Sequence, residues 1–118
     1  MRTAMAIGQP RCFKRGPDFN IVLVLPSYVP AAYFSEYTGT AQLRRYKDDS
    51  ENGFIADITF EWIEPEDARA FRLINTDTVE WPLGLAEIDV LLENPEGKKV
   101  GTATILLKIE RSITRDAP

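Results

Sequence analysis

The clearest periodicity in the chain runs from Phe54 to Trp62. Phe54, Ala56, Ile58, Phe60 and Trp62 fall on one face, and Asp57, Thr59 and Glu61 on the other. A period of two marks a strand with one face in a core, so all five apolar positions are expected to point inward. The preceding Asp48-Asp49-Ser50-Glu51-Asn52-Gly53 reads as a turn, with Asn52-Gly53 supplying the positive φ of a tight reversal. Thr38 to Tyr46 alternates more weakly, Ala41 and Leu43 inward against Thr40, Gln42 and Arg44 outward. Phe19 to Leu25 is β-branched and apolar and stops at Pro26, as a buried strand does where the backbone loses a donor. Towards the end of the chain a hairpin is expected. Ala86, Ile88, Val90 and Leu92 line one face, Asn94-Pro95-Glu96-Gly97 turns, and Ala103, Ile105, Leu107 and Ile109 line the return.

Eight prolines and seven glycines cut the 118 residues into short segments. Glu64 to Phe71 is expected to hold one or two helical turns, with Pro65 at the first helical position and Glu66 and Asp67 at the positive end of the dipole. The remainder is six or seven short strands. The expected fold is all-β, an antiparallel immunoglobulin-like β-sandwich with one short helical turn. Residues 1–17 lack a periodic pattern and read as an N-terminal arm, and residues 18–115 as the sandwich domain.

Composition narrows the chemistry more than the fold. The chain has no histidine and a single cysteine, Cys12, which removes imidazole bases, His-bearing zinc sites and internal disulfides. Cys12 reads as an ordinary free thiol. The net charge is −4 and the pI near 4.8, which lacks the basic footprint of a nucleic-acid binder. Charge is nevertheless uneven. Arg2, Arg11, Lys14 and Arg15 face one acid up to Asp18, whereas Asp48 to Asp67 holds eight acids and no Lys or Arg. Such a basic arm and acidic flank steer head-to-tail association between copies, dock on an oppositely charged partner, or form two solvated surfaces. The first ten residues have no continuous apolar core of a signal peptide, and no apolar run is long enough to cross a bilayer, so a soluble protein without membrane insertion is expected.

The features from Arg15 to Arg115 resemble a small domain of tailed-bacteriophage virion proteins. They are similar to the N-terminal immunoglobulin-like domain of phage baseplate upper proteins and to related short virion-associated proteins. The matching pieces are Arg15-Gly16-Pro17-Asp18-Phe19-Asn20-Ile21, Thr38-Gly39-Thr40-Ala41-Gln42-Leu43-Arg44 and Asn52-Gly53-Phe54-Ile55 with its strand. They continue with the turn from Glu64 to Phe71 and with Ile88-Asp89-Val90-Leu91-Leu92-Glu93-Asn94-Pro95-Glu96-Gly97 and its return, ending at Ile113-Thr114-Arg115. Ile88 departs from the family, which often has an aromatic residue there. The resemblance implies a non-enzymatic structural or assembly subunit of the tail, baseplate or head, located in the virion and, during assembly, in the host cytoplasm. Its implied partners are other virion proteins and further copies of itself, in a ring or trimer, with no nucleic acid and no cofactor.

Asp48 to Gly53 superficially resembles a calcium loop, but its later ligand positions are unfilled, so no metal site is expected. Asp57 with Glu61, and Glu87 with Asp89, sit on outward strand faces with no cleft foreseen, so no catalytic residue is assigned. Tyr28, Tyr33, Phe34 and Tyr37 crowd the segment between Pro26 and Thr38, which either packs across an end of the sandwich or offers a contact surface. Trp81 either covers that kind of end or anchors a partner. The partner-binding set expected from the sequence is Arg11, Lys14, Arg15, Tyr28, Tyr33, Phe34, Tyr37 and Trp81. The alternative function is a carbohydrate-binding host-attachment module, with Trp81 and the loop tyrosines stacking on sugars.

Overall fold

A computed structural model describes residues 11–48, 50–102 and 104–112. Its strands are β1 (Arg11–Lys14), β2 (Phe19–Val24), β3 (Thr38–Arg45), β4 (Phe54–Ile63), β5 (Ala70–Asn75), β6 (Gly84–Glu93), β7 (Lys99–Gly101) and β8 (Ile105–Glu110). They hydrogen-bond in the order β1-β8-β6-β3-β4-β5-β2, with β7 on β6, and every pair is antiparallel except β1 with β8. The fold is all-β, and among the described residues no α-helix forms. No helix there is long and apolar enough to cross a membrane.

The sheet curls because β4 serves two neighbours in turn. Its first half pairs with β3 (Ala41 opposite Ile58), and its second half pairs with β5 on the other edge (Trp62 opposite Phe71). Phe60 lies where β4 leaves β3, and its ring covers Gly39 so closely that a Cβ on Gly39 would lie 2.5 Å from it. Glycine is what lets the ring sit there. The curled sheet encloses Phe19, Leu43, Ile58, Phe71, Leu73, Ile88, Val90, Leu92 and Leu107, all nearly or fully buried. The two edges, β1 and β2, are consecutive in sequence and joined by residues 15–18.

The expected strands are present, with local corrections. Phe54 does not face the core. A bulge at Leu43/Arg44 puts Phe54 opposite Arg44 on the outer face, with the Arg44 guanidinium 6.0 Å from its ring centroid, and Ile55 packs against the core instead. Asn52-Gly53 does not supply a positive φ. Residues Glu51–Gly53 form one 3₁₀ turn, and Gly53 is needed because a Cβ there would lie 2.3 Å from the Asp48 carbonyl oxygen. The segment Phe19–Leu25 is not wholly buried, because β2 is an edge and exposes Val22 and Val24. Glu64 to Phe71 is a single turn closed by Asp67 N–H and Ala68 N–H on the Glu64 carbonyl (2.9 and 3.1 Å), after which the chain is already in β5. Within the expected arm, Arg11–Lys14 is a strand with Phe13 against the core. Ala103, like residues 1–10, lies outside the described residues.

The β6 hairpin turns as expected. Gly97 N–H donates to the Asn94 carbonyl (2.9 Å), and Asn94 Oδ1 accepts from the Glu96 and Lys98 amides (3.0 and 2.8 Å). Gly97 has φ +89, a conformation open to glycine at little cost.

Candidate functional site

The segment between β2 and β3 has no regular structure, yet it is heavily braced. Pro26 cannot extend the β2 ladder, and beyond it the chain makes four successive reversals. Val29, Tyr33, Ser35 and Tyr37 N–H groups donate to the carbonyls of Pro26, Pro30, Ala32 and Phe34 at 3.0–3.2 Å. Ala32 is left-handed, with φ 66, a strained conformation for alanine. Its N–H is held by the Asp67 carbonyl at 2.6 Å.

Arg69 is the main brace. Its guanidinium donates to the carbonyls of Val29, Leu25 (3.3 Å) and Pro26 (3.1 Å), while its own carbonyl accepts from Leu25 N–H (2.8 Å). At the other end of the loop Trp62 Nε1 donates to the Tyr37 carbonyl (2.8 Å). Phe34 is buried and stands edge-on to Tyr33 and Tyr37, with centroids 4.8 and 4.9 Å away. The outcome is a fixed platform on which Tyr28 and Tyr33 are each 57% exposed. Neither hydroxyl has a hydrogen bond among the described residues. Large, rigid aromatic side chains with a free polar tip are suited to contact surfaces, because little rotamer entropy is lost when they are covered.

The sequence-derived set divides accordingly. Tyr28 and Tyr33 are available to a partner, Tyr37 is half-buried, and Phe34 is their pedestal. Trp81 is not a surface anchor. It is 3% exposed and packs against Phe13 and Phe19 at centroid distances of 5.4 and 5.5 Å, closing the end of the sheet. Arg15 is tied into the same end, its Nη1 donating to the Trp81 carbonyl (2.7 Å) and its N–H to the Glu110 carbonyl (3.0 Å). Arg11 and Lys14 are exposed on β1. The link that carries Arg15 and the aromatic loop lie at opposite ends of β2, about 20 Å apart at ~3.3 Å per strand residue. They do not form one surface.

Arg69 is absent from the sequence-derived set. Its position after the acidic Glu64-Pro65-Glu66-Asp67 gives no hint that it reaches back to carbonyls 40 to 44 positions earlier. A second feature is equally unforeseen. The outer faces of β3, β4 and β6 form an open groove of about 590 Å³, lined by Thr40, Gln42, Arg44, Asp57, Glu87 and Asp89 among others. The acids lie across neighbouring strands, with Asp57 and Asp89 flanking Gln42, rather than along one strand. Thr104 donates its hydroxyl to Asp89 Oδ1 (2.6 Å).

The calcium-loop likeness at Asp48 has an internal explanation. Asp48 Oδ1 accepts from the Ser50 hydroxyl (2.6 Å) and the Ser50 N–H (3.0 Å), and these bonds, aided by Arg45 and Arg44, hold its carboxyl below the usual range. That carboxylate serves its own turn.

No protein-family model matches the chain, and no curated protein is detectably similar to it in sequence.

Proposed function

We propose that this chain is a non-enzymatic structural or assembly subunit of a tailed-bacteriophage virion that works by protein–protein docking, with an immunoglobulin-like sandwich as its scaffold. The observation that carries the docking reading is the braced β2–β3 loop. Three carbonyl contacts from Arg69 and one from Trp62 fix a segment whose large exposed apolar groups are Tyr28 and Tyr33. Ordering such a loop before a partner arrives reduces the entropy lost on binding. The immunoglobulin-like reading draws support from topology, because β1 runs parallel to the last strand, β8, while β2 pairs with β5 on the far side. The phage assignment rests on the sequence resemblance from Arg15 to Arg115.

The test is composition of purified, salt-washed particles. The chain is expected in them, and Tyr28→Ala with Tyr33→Ala is expected to fold yet fail to incorporate. Its absence from washed particles overturns the reading.

A second reading, glycan binding, is favoured by one observation: the polar groove between β3, β4 and β6 offers Gln42, Asp57, Asp89 and Arg44 to hydroxyl groups. Trp81, buried, has no part in it. A glycan array signal abolished by Asp89→Ala and untouched by Tyr33→Ala would favour this reading over docking.

A further inference from the structure

The β2–β3 loop and the β6–β7 turn leave the sheet at one corner. Thr38 lies opposite Glu93 in the β3–β6 register, so the residues before the one run beside the residues after the other. Between them is a cleft of about 350 Å³, lined by Tyr33, Glu36 and Tyr37 from the loop and by Asn94, Pro95 and Glu96 from the turn, among others. Both walls are fixed. Tyr33 and Tyr37 stand edge-on to the buried Phe34, and Asn94 Oδ1 holds the Glu96 amide at 3.0 Å. Each wall carries one exposed carboxylate, Glu36 on the loop and Glu96 on the turn. Among the described residues neither is in an ion pair, and no lysine or arginine lines the cleft; Lys98 and Lys99 follow the turn but lie outside it. Elsewhere the chain sets its own bases over exposed rings, Arg44 at 6.0 Å from the Phe54 centroid and Lys47 at 5.2 Å from that of Tyr46. Among the described residues no base stands over Tyr33 or Tyr37.

We infer that this cleft receives an arginine side chain from an exposed segment of a partner protein. The inference rests on the docking reading of the tyrosine platform and names the group that the partner brings to it. Two carboxylates in a concave site with no counter-charge of its own draw a cation in. The tyrosine rings beside them offer their negative faces to that same cation. Arginine meets both demands at once. Its guanidinium is planar, so one face can lie on a ring while N–H groups at its edge reach carboxylates on either wall. A lysine ammonium is compact and strongly hydrated, has no flat face, and loses more by leaving water to sit between rings. Because both walls are already braced, little order has to be imposed when the side chain enters.

The test is a magnetic-resonance titration of the full chain with a capped peptide that carries one arginine among glycines. At millimolar peptide, saturable shifts are expected at the Tyr33, Glu36, Tyr37 and Glu96 amides. The same peptide with citrulline, which keeps the shape and removes the charge, is expected to give none, and with lysine a weaker response. Glu36→Gln with Glu96→Gln is expected to weaken arginine binding about fivefold or more. Asp77→Asn with Glu80→Gln, which removes two exposed charges at the opposite end of the sheet, is expected to leave it unchanged. Absence of saturable shifts at those amides overturns the inference. So does citrulline or lysine binding as well as arginine, or undiminished binding by the Glu36→Gln, Glu96→Gln variant. The titration needs no particle, so its failure is distinguishable from failure of the docking reading, which is decided by the content of washed particles.

Discussion

The Thr78 hydroxyl is fully buried and joins two backbone groups of the link between β1 and β2, accepting from Gly16 N–H at 2.7 Å and donating to the Pro17 carbonyl at 2.8 Å. Gly16, at φ +116, takes the reversal that carries the chain from one edge of the sheet to the other. Thr78→Val keeps the shape and strands both backbone partners. The expected loss is about 2–4 kcal/mol, from two buried groups at roughly 1–3 kcal/mol each with partial recovery by solvent. Thr78→Ser, which keeps the hydroxyl, is expected to lose less than half of that. Urea unfolding at constant m-value measures both.

Trp81 closes the same end, between Phe13 and Phe19. Trp81→Ala is expected to destabilise the fold by about 3–5 kcal/mol, the ordinary range for emptying a core aromatic site. Trp81→Phe, which keeps a ring in the cluster, is expected to cost markedly less. A docking defect in Trp81→Ala that is absent in Trp81→Phe therefore reports folding and not a lost contact. Thermal melts of the two variants separate the cases.

The alternation of apolar and polar residues makes β3, β6 and β8 legible in the sequence alone, because their inward positions, from Ala41 to Ile109, obey a strict period of two. The period fails at Phe54, where one extra residue in a bulge reverses the face, and a bulge has no signature in a single alternating string. It fails at Val22 and Val24 for another reason. A β-branched run looks the same in a central strand and at an edge, and only the order of strands decides which it is. The aromatic loop is visible as composition. What fixes it, Arg69 on the Leu25, Pro26 and Val29 carbonyls, is a contact between distant segments that local pattern does not encode.

Gly39 and Phe60 form a pair in which each constrains the other. Gly39→Ala is expected to cost about 1–3 kcal/mol, since the new methyl meets the face of a ring already stacked on Phe71 at 4.9 Å and edge-on to Trp62 at 5.0 Å. Phe60→Leu in the same background is expected to recover part of the loss, because a narrower side chain leaves room for the methyl. The double-mutant cycle measures the coupling, and additivity would show that the two residues are independent.

The Asp48 turn has a pH dependence of definite sign. Its carboxyl lies below the ordinary value of 3.8 because the ionised form accepts two bonds from Ser50. A group depressed in the folded state contributes stability above its unfolded pKa, and that contribution is lost as pH falls through the folded value. The Ser50 amide resonance is therefore expected to shift as pH falls, with its midpoint under 3.8. Asp48→Asn is expected to abolish the titration.

Arg69 decides whether the tyrosine platform is rigid. Lysine at this position keeps the charge but has one nitrogen in place of a planar fork, and it cannot reach the Leu25, Pro26 and Val29 carbonyls together. Arg69→Lys is expected to lose about 1.5–3 kcal/mol, the range for a charge-assisted bond to a backbone acceptor, with the sheet otherwise unchanged. The informative measurement is local. Amide exchange should accelerate at Val29, Ala32 and Tyr33, whose bonds belong to the braced loop, and should be unchanged at Leu43 and Leu107 in the core ladders. Uniform acceleration would mean that Arg69 supports the whole fold and not the loop. Unchanged exchange in the loop would mean that its successive reversals and the Phe34 pedestal hold Tyr28 and Tyr33 in place without the guanidinium.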